Sequence, residues 1–260
     1  MTGGLWTALR MRELISLRHT ACLALLSEVD HIVVLCEWTR AVLTRIGVPP
    51  EKVTLSRHGV GRGGGGAQLS DAGRPERDGA RRTLRAAFLG RLDPVKGAHV
   101  LVEAIRLGPD LPVALDLYGV EQGEASAAYL SRLRKIAGGD RRITFRDPVT
   151  PGTVTTRLRP YDLIAVPSQG LETGPLVVLE AFAAGVPVLG SRLGGIAELV
   201  EDSVDGLLVE PRSPEAWRRA FERLCHEDGL LARLREGIRP PRGMDAVASE
   251  MAGLYVHVCS

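Results

Sequence analysis

Residues 168–191, SQGLETGPLVVLEAFAAGVPVLGS, decide the fold of this chain, because they join a nearly all-apolar helix to an apolar strand. Two glutamates lie eight positions apart in this stretch, Glu172 before the helix and Glu180 inside it. Thr173 can cap the helix and Gly185 can end it. A helix that is apolar on nearly every face is buried, and a lone carboxylate inside it costs roughly several kcal/mol unless it is paired.

Two interpretations of Glu180 follow from this cost. In the first, the helix belongs to the core and Glu180 pairs with an arginine elsewhere in the chain. In the second, the glutamates belong to a ligand site. The helix N-terminus offers unpaired N–H groups and a partial positive charge to an anion lying over Glu172.

Composition indicates a soluble globular protein of one large or two small domains, since the 260 residues are 45% apolar and 25% charged. A net charge of +2 does not favour a nucleic-acid partner. The four cysteines lack metal-ligand or CxxC spacing, which favours free thiols in a reducing cytoplasm. We find no signal peptide and no run of about 18–20 apolar residues. We therefore expect a cytoplasmic protein, in which a basic helical face at residues 5–28 leaves weak peripheral membrane contact as the minor alternative.

A break in composition divides the chain. Residues 61–84, rich in glycine and arginine and without periodicity, predict a flexible linker. Residues 1–60 hold two predicted strands, too few for a parallel sheet of their own. Residues 85–239 alternate strands with helices and predict a parallel sheet covered on both faces, and residues 240–260 hold a final helix. The predicted strands are residues 31–35, 53–56, 85–89, 113–118, 143–146, 163–167, 186–190 and 206–209. The predicted helices are residues 5–28, 37–46, 97–107, 124–137, 151–158, 176–184, 196–200, 215–225 and 244–258.

Three polar stretches fall at the carboxyl ends of predicted strands, where such sheets bind ligands. The turn GRLDPVKG at residues 90–97 brings Arg91 and Lys96 to one strand-to-helix connection, although a plain loop with solvated charges explains it equally well. It is not a Walker loop, because no Gly-Lys-Ser/Thr follows. The loop after Phe145 is a weaker candidate for contacts to a flat base. Glu172 and Glu180 form the third stretch.

Together these stretches suit a nucleotide-sugar. Arg91, Lys96 and a helix N-terminus would hold a diphosphate, while the two carboxylates accept hydrogen bonds from sugar and ribose hydroxyls. The chain has no Asp-x-Asp pair of the kind that holds a metal in another glycosyltransferase fold. We therefore expect no metal or other cofactor, and the two cations would neutralise the leaving diphosphate.

The combined motifs resemble a known family. Gly-Arg-Leu-Asp-x-x-Lys-Gly, the glutamate pair ending in Leu-Glu-Ala-Phe-Ala-Ala-Gly-Val-Pro-Val, Gly-Gly-Ile-x-Glu and Asp-Gly-Leu-Leu-Val occur in that order. This pattern is similar to the C-terminal half of the group 1 (family 4) retaining glycosyltransferases of GT-B fold, over about residues 28–258. The fold class implied is α/β, a Rossmann-like parallel sheet with helices on both faces, plus a truncated remnant of the N-terminal Rossmann-like domain.

The resemblance implies a role for each site residue. Arg91 and Lys96 would bind the donor diphosphate, and Glu172 would act as the catalytic residue that contacts the transferred sugar near its reacting carbon. Glu180 would hold the ribose. Pro175 stands where the family often has glycine, so one backbone donor is missing. The further donor-binding positions are Gly90, Val149, Thr173, Gly174, Leu176 and Val177.

The resemblance also accounts for the shortness of the first block, residues 1–60. Enzymes of this fold pair two Rossmann-like domains, with the acceptor site on the N-terminal one. Residues 29–60 match only the last part of that domain, and the final helix at residues 244–258 matches the one that crosses back to it. We therefore expect exposed apolar surface at the sheet edge around residues 31–35 and on the face that this edge should have covered, and with it self-association or a separate chain that supplies the N-terminal domain.

Two functions remain open at this stage. The first is a glycosyltransferase that moves a sugar from a UDP- or GDP-sugar, with retention and without metal, to a glycan, lipid-linked or small-molecule acceptor. The second is a non-catalytic nucleotide-sugar-binding or partner subunit that needs a separate acceptor domain. A nicotinamide-dependent dehydrogenase is disfavoured, because no Gly-x-Gly-x-x-Gly opens a βαβ unit. His58, at the hinge between the two parts, is expected to be a solvent-exposed loop histidine rather than a substrate contact.

Overall fold

The structure is a computed structural model, and it describes residues 7–61 and 83–259. Strands alternate with helices along both ranges. The strands are β1 (Ile32–Val34), β2 (Val53–Leu55), β3 (Leu84–Arg91), β4 (Val113–Val120), β5 (Ile143–Arg146), β6 (Leu163–Val166), β7 (Val188–Ser191) and β8 (Gly206–Val209). The α-helices are α1 (Met11–Glu28), α2 (Glu37–Arg45), α3 (Ala98–Leu107), α4 (Glu124–Ala137), α5 (Val154–Leu158), α6 (Leu176–Ala183), α7 (Gly194–Leu199), α8 (Pro214–His226), α9 (Leu230–Glu236) and α10 (Met244–Cys259). Two 3-10 turns cover Pro50–Lys52 and Pro94–Lys96.

The main sheet has six parallel strands in the order β5-β4-β3-β6-β7-β8. Counted from β3, this is the 3-2-1-4-5-6 order of the dinucleotide-binding fold. The order reverses between β3 and β6, where Ala86 pairs with Leu163 and Ala87 with Ile164. Ligands of such sheets bind in the crevice above that point, outside the carboxyl ends of the strands.

Apolar cores lie on both faces of this sheet. One face packs Trp217 and Phe221 of α8 against α3 and the strands, and both side chains are fully buried. On the other face α6 packs Val178 and Phe182 against β6 and β7. The core helix predicted around residues 176–184 is therefore confirmed.

The first block forms a separate small sheet in which β1 pairs with β2 in parallel. Its core is small, with Val34, Val48 and Val53 buried. The C-terminal segment returns to it: Gly243 forms a β-bridge with Val60, and Glu250 of α10 accepts a hydrogen bond from the Ser56 hydroxyl at 2.9 Å.

The boundaries of α4, β5 and β8 agree with those predicted from periodicity. Helix α9 was not predicted; it is a seven-residue helix that begins directly after Gly229 and ends before Gly237. Most of the predicted linker, residues 62–82, lies outside the described residues, and β3 already begins at Leu84. The proposed division into domains stays a prediction.

Within the described ranges, no helix combines the length and the apolar character that crossing a bilayer requires.

Candidate active site

The candidate site lies where the strand order of the main sheet reverses, between the carboxyl ends of β3 and β6. After β3, the Asp93 side chain accepts a hydrogen bond from the backbone N–H of Val95 at 2.8 Å and starts the 3-10 turn that carries Lys96. Gly97 follows in the left-handed conformation, with φ of 75°. A Cβ at Gly97 would overlap the carbonyl oxygen of Pro167 just after β6, so this close approach requires glycine.

This packing brings together two predicted site residues. Lys96 Nζ lies 2.6 Å from Glu172 Oε1, and the Ser168 hydroxyl donates to the same oxygen at 2.7 Å. The ion pair is largely shielded from solvent, with 24% of the Lys96 side chain and 18% of the Glu172 side chain exposed. A charge-assisted pair in such surroundings is stronger than one on the open surface. The sequence predicted both residues as ligand contacts but did not predict that they pair, and it did not single out Ser168.

The N-terminus of α6 opens beside this ion pair. Its N-cap is Pro175, with no side-chain cap, so the predicted capping by Thr173 is wrong. Thr173 is instead exposed. In the described structure the backbone N–H groups of Leu176 and Val177 have no hydrogen-bond partner, as expected for the first turn of a helix. They leave donors and a partial positive charge free for an anion.

Glu180 lies in the middle of α6 and is half-buried. No described side chain pairs with it, so none of the described arginines fulfils the purely structural interpretation. Burial raises the pKa of the Glu180 carboxyl. A carboxylate that is desolvated without a protein partner is a strong candidate for a ligand contact.

The structure places the remaining predicted residues around this centre without linking them to it. Arg91, at the end of β3, is exposed and makes no ion pair with a described residue. Val149 follows the edge strand β5 and packs on the core face that contains α6. Gly90 has the ring of Phe88 against it, so a side chain there would crowd the strand end.

The first block also reaches the site. The His58 ring lies against Gly174, where a Cβ would come within 2.8 Å of His58 Cδ2. His58 is half-buried, so the interpretation as a solvent-exposed loop residue is wrong. The carbonyl oxygen of Glu172 accepts two hydrogen bonds, from Trp38 Nε1 at 3.0 Å and from the Gly195 N–H at 2.7 Å. Local sequence carries no signal for these contacts, because they join residues far apart in the chain.

These groups define what the site can do chemically. Lys96, Arg91 and the open end of α6 suit an anion such as a diphosphate, and Glu172 and Glu180 accept hydrogen bonds from hydroxyls. The described residues contain no cluster of three or more His, Cys, Asp and Glu side chains that could hold a metal ion.

The chain is similar to proteins of known family. The family model of the group 1 glycosyl transferases matches residues 78–239. A D-inositol 3-phosphate glycosyltransferase of Corynebacterium glutamicum is 34% identical over 181 residues, which are 66% of this chain and 43% of that protein. One of Salinispora tropica is 34% identical over 202 residues, 75% of this chain and 42% of that protein. The chain thus spans about two fifths of the length of these relatives.

Solved structures show the same fold. Sucrose-phosphate synthase from Thermosynechococcus elongatus aligns with a TM-score of 0.73 at 25% identity, over 90% of this chain and 60% of that one. HepE of Anabaena, in complex with UDP-glucose, aligns with a TM-score of 0.73 at 18% identity, over 88% of this chain and 64% of that one. The predicted fold class, a Rossmann-like sheet as the C-terminal half of a GT-B fold, is confirmed. The chain belongs to the group 1 glycosyl transferases.

Proposed function

We propose that this chain binds a nucleotide-sugar and serves as the donor half of a glycosyltransferase that transfers the sugar with retention. One observation carries the proposal. The Lys96–Glu172 ion pair lies at the start of α6, which has no side-chain cap, at the point where the strand order of the sheet reverses. This combination offers cations and amides to a diphosphate and a carboxylate to the adjoining sugar.

Each group has a distinct role in this proposal. Lys96 and Arg91 neutralise the diphosphate, together with the N–H groups of Leu176 and Val177. Lys96 then exchanges part of its contact with Glu172 for the phosphate oxygens. Glu172 accepts hydrogen bonds from the sugar and stabilises positive charge near its reacting carbon. Glu180 accepts hydrogen bonds from the ribose, which gives its desolvated carboxylate the partner that the described chain lacks.

Gly90, Thr173 and Gly174 are proposed to let the backbone approach the donor closely, and Val149 to meet the nucleotide base. In the reaction, the acceptor hydroxyl attacks the sugar carbon on the face from which the diphosphate leaves. The carbon–oxygen bond to the diphosphate breaks, and the hydroxyl proton passes to the departing phosphate oxygen. We propose that the two cations and the helix amides supply the charge stabilisation, so that the step needs no metal ion.

The comparisons suggest which ligands to test first. HepE structures hold UDP and UDP-glucose, which supports a nucleotide-sugar donor. The curated relatives are named D-inositol 3-phosphate glycosyltransferases, which makes D-inositol 3-phosphate the first acceptor to try. The base of the donor nucleotide is uracil or guanine, so both a UDP-sugar and a GDP-sugar are tested.

Calorimetric titration with UDP-glucose and GDP-mannose tests donor binding. We expect one of them to bind the wild type, and Glu180→Ala to weaken that binding about tenfold, the loss of roughly one charged hydrogen-bond pair. Glu215→Ala is the matched control, because Glu215 is exposed at the start of α8. If neither nucleotide-sugar binds the wild type below about 1 mM, the donor site proposed here is wrong.

The chain matches only about two fifths of its curated relatives, which motivates a second candidate, a donor-binding subunit that works with a separate acceptor domain. The two candidates differ in turnover. Release of UDP from UDP-glucose by the chain alone, stimulated by D-inositol 3-phosphate, would exclude the subunit. Donor binding without turnover on any acceptor would support the subunit, provided that turnover appears when an acceptor-domain chain is added.

A further inference from the structure

Glu198, on α7 of the main-sheet part, caps α2, the helix that connects β1 and β2 of the small sheet. Its carboxylate oxygens accept hydrogen bonds from the backbone N–H groups of Glu37, at 2.7 Å, and Trp38, at 2.8 Å. These two residues begin α2, whose own N-cap residue, Cys36, provides no side-chain hydrogen bond to the helix N–H groups. A carboxylate on the first N–H groups of a helix stabilises that end through charge-assisted hydrogen bonds and the helix dipole. Glu198 is the last residue of the Gly-Gly-Ile-Ala-Glu motif and carries no role in the proposed donor contacts.

Arg57 reinforces the same link. Its guanidinium lies 3.3 Å from Glu198 Oε2 and also donates to the Glu198 carbonyl oxygen at 3.1 Å. Only 19% of the Glu198 side chain is exposed. Its charge is therefore well satisfied by two amides and one guanidinium, all supplied by the first block.

Trp38 and α7 connect this cap to the candidate catalytic glutamate. Glu198 fixes the Trp38 backbone, and the Trp38 indole donates to the Glu172 carbonyl oxygen. The first turn of α7, three residues before Glu198, reaches the same carbonyl oxygen through the Gly195 N–H. Gly195 must be glycine here, because a Cβ would lie 2.7 Å from the Glu172 oxygen. The hydrogen bonds thus close a ring through Glu172, α7, Glu198 and Trp38.

We propose that Glu198 and Trp38 are positioning residues that hold the Glu172 main chain, so that sugar recognition depends on docking of α2 against α7. This inference rests on the proposed donor site for its functional consequence but not for the link itself. Glu198 is linked to both donors to the Glu172 carbonyl: it binds the Trp38 backbone directly, and it lies on α7, the helix that carries Gly195. Loss of the cap frees the peptide that orients the Glu172 carboxylate, while the contacts to the diphosphate remain.

Exchange of the tryptophan indole N–H groups, measured by NMR on the full chain, tests the link without any ligand. Trp38→Phe assigns the Trp38 signal, and Trp217 is an internal control because its indole donates to the Glu210 carbonyl in another part of the molecule. We expect Glu198→Ala to accelerate Trp38 exchange about tenfold and to leave Trp217 unchanged. Glu198→Gln retains one acceptor oxygen and should give an intermediate rate. Unchanged Trp38 exchange in Glu198→Ala overturns the proposal.

Affinities for UDP and UDP-glucose test the consequence. Because Glu172 faces the sugar, Glu198→Ala and Trp38→Phe should each weaken UDP-glucose at least about fivefold while changing UDP binding less than about twofold. The double variant should be no worse than the single ones, since both act through one peptide. Equal losses for UDP and UDP-glucose indicate a purely structural role and overturn the proposal. If the wild type binds neither ligand, the donor proposal fails, and indole exchange alone decides whether the link exists.

Discussion

Glu172 lies in the loop before α6 and Glu180 lies within α6, but the two carboxylates have different electrostatic surroundings. Glu172 meets Lys96 and the Ser168 hydroxyl, and two further donors hold its carbonyl. Glu180 has no such partner among the described residues, and burial raises the pKa of its carboxyl. The spacing of the two residues follows from sequence, but this difference depends on which elements pack against each of them. A carboxyl group that is desolvated without a protein partner, at a cost to the stability of the fold, is typical of functional sites.

The raised pKa predicts a pH-dependent cost to stability. The folded protein holds the Glu180 proton to higher pH than the unfolded chain does. Stability therefore falls as pH rises from the unfolded pKa through the folded pKa. Glu180→Gln removes this loss. We expect the variant to exceed the wild type in free energy of unfolding at pH 7 and to match it near pH 4, measured by urea unfolding.

Exposed Glu215 provides the control, since Glu215→Gln should show no such pH-dependent gain. A Glu180→Gln variant that is less stable than the wild type at pH 7 would show that Glu180 has a stabilising partner in the folded protein.

At the scale of elements, α9 is attached to the sheet through a buried charge. Asp162, just before β6, is 5% exposed and accepts hydrogen bonds from the Arg85 N–H at 3.0 Å and from Arg235 Nη2 at 2.8 Å. Leu230 and Leu234 of α9 are buried in the same core as Trp217 and Phe221 of α8. The sequence contains no long periodic run here, which is why this short helix escaped prediction.

Two arginines of α9 allow a matched comparison. Arg235→Met leaves Asp162 buried with one partner fewer and should lower the free energy of unfolding by about 3 kcal/mol. Arg233→Met removes an ion pair with Glu227 whose side chains are 55% and 40% exposed, and should cost less than about 1 kcal/mol. Urea unfolding measures both. Equal effects of the two substitutions would contradict a structural role for the buried pair.

At the scale of the whole molecule, apolar surface is concentrated at the two ends of the described chain. No residue of α1 or α10 is buried. Leu25 is 63% exposed, Ile15 60%, Tyr255 70% and Val256 72%. The small sheet beside them has a core of only a few valines, so it offers little to cover this surface. Exposed apolar side chains in such number favour association with another chain.

We therefore expect the isolated chain to self-associate, with a mass above that of the monomer in light scattering at about 50 µM. Replacing exposed apolar residues of α1, as in Ile15→Ser with Leu17→Ser, should reduce the measured mass while leaving the thermal midpoint within about 2 °C, because neither side chain is buried. A wild-type chain that stays monomeric would contradict this prediction.

Much of the architecture was accessible from local pattern. Strands of β-branched residues, helices of the right length and the turn at residues 90–97 predicted a parallel sheet with its loops at one edge. The cap at α6 was mispredicted: local preference favours a threonine such as Thr173 at an N-cap, but the helix starts at Leu176 and Pro175 takes the N-cap position. His58, Trp38 and Glu198 gave no local signal, since their partners come from the other sheet.

By itself the sequence determined the alternation of strands and helices, the eight-residue spacing of the glutamates and the glycines and cations of the loops. Periodicity and motif spacing act over a few residues, so they can be recognised without a fold. Tertiary structure alone decided that Lys96 pairs with Glu172, 76 positions away, and that Glu198 caps a helix beginning about 160 positions before it. These contacts depend on strand order and on the docking of the two sheets, because only the complete fold brings such distant residues within hydrogen-bond distance.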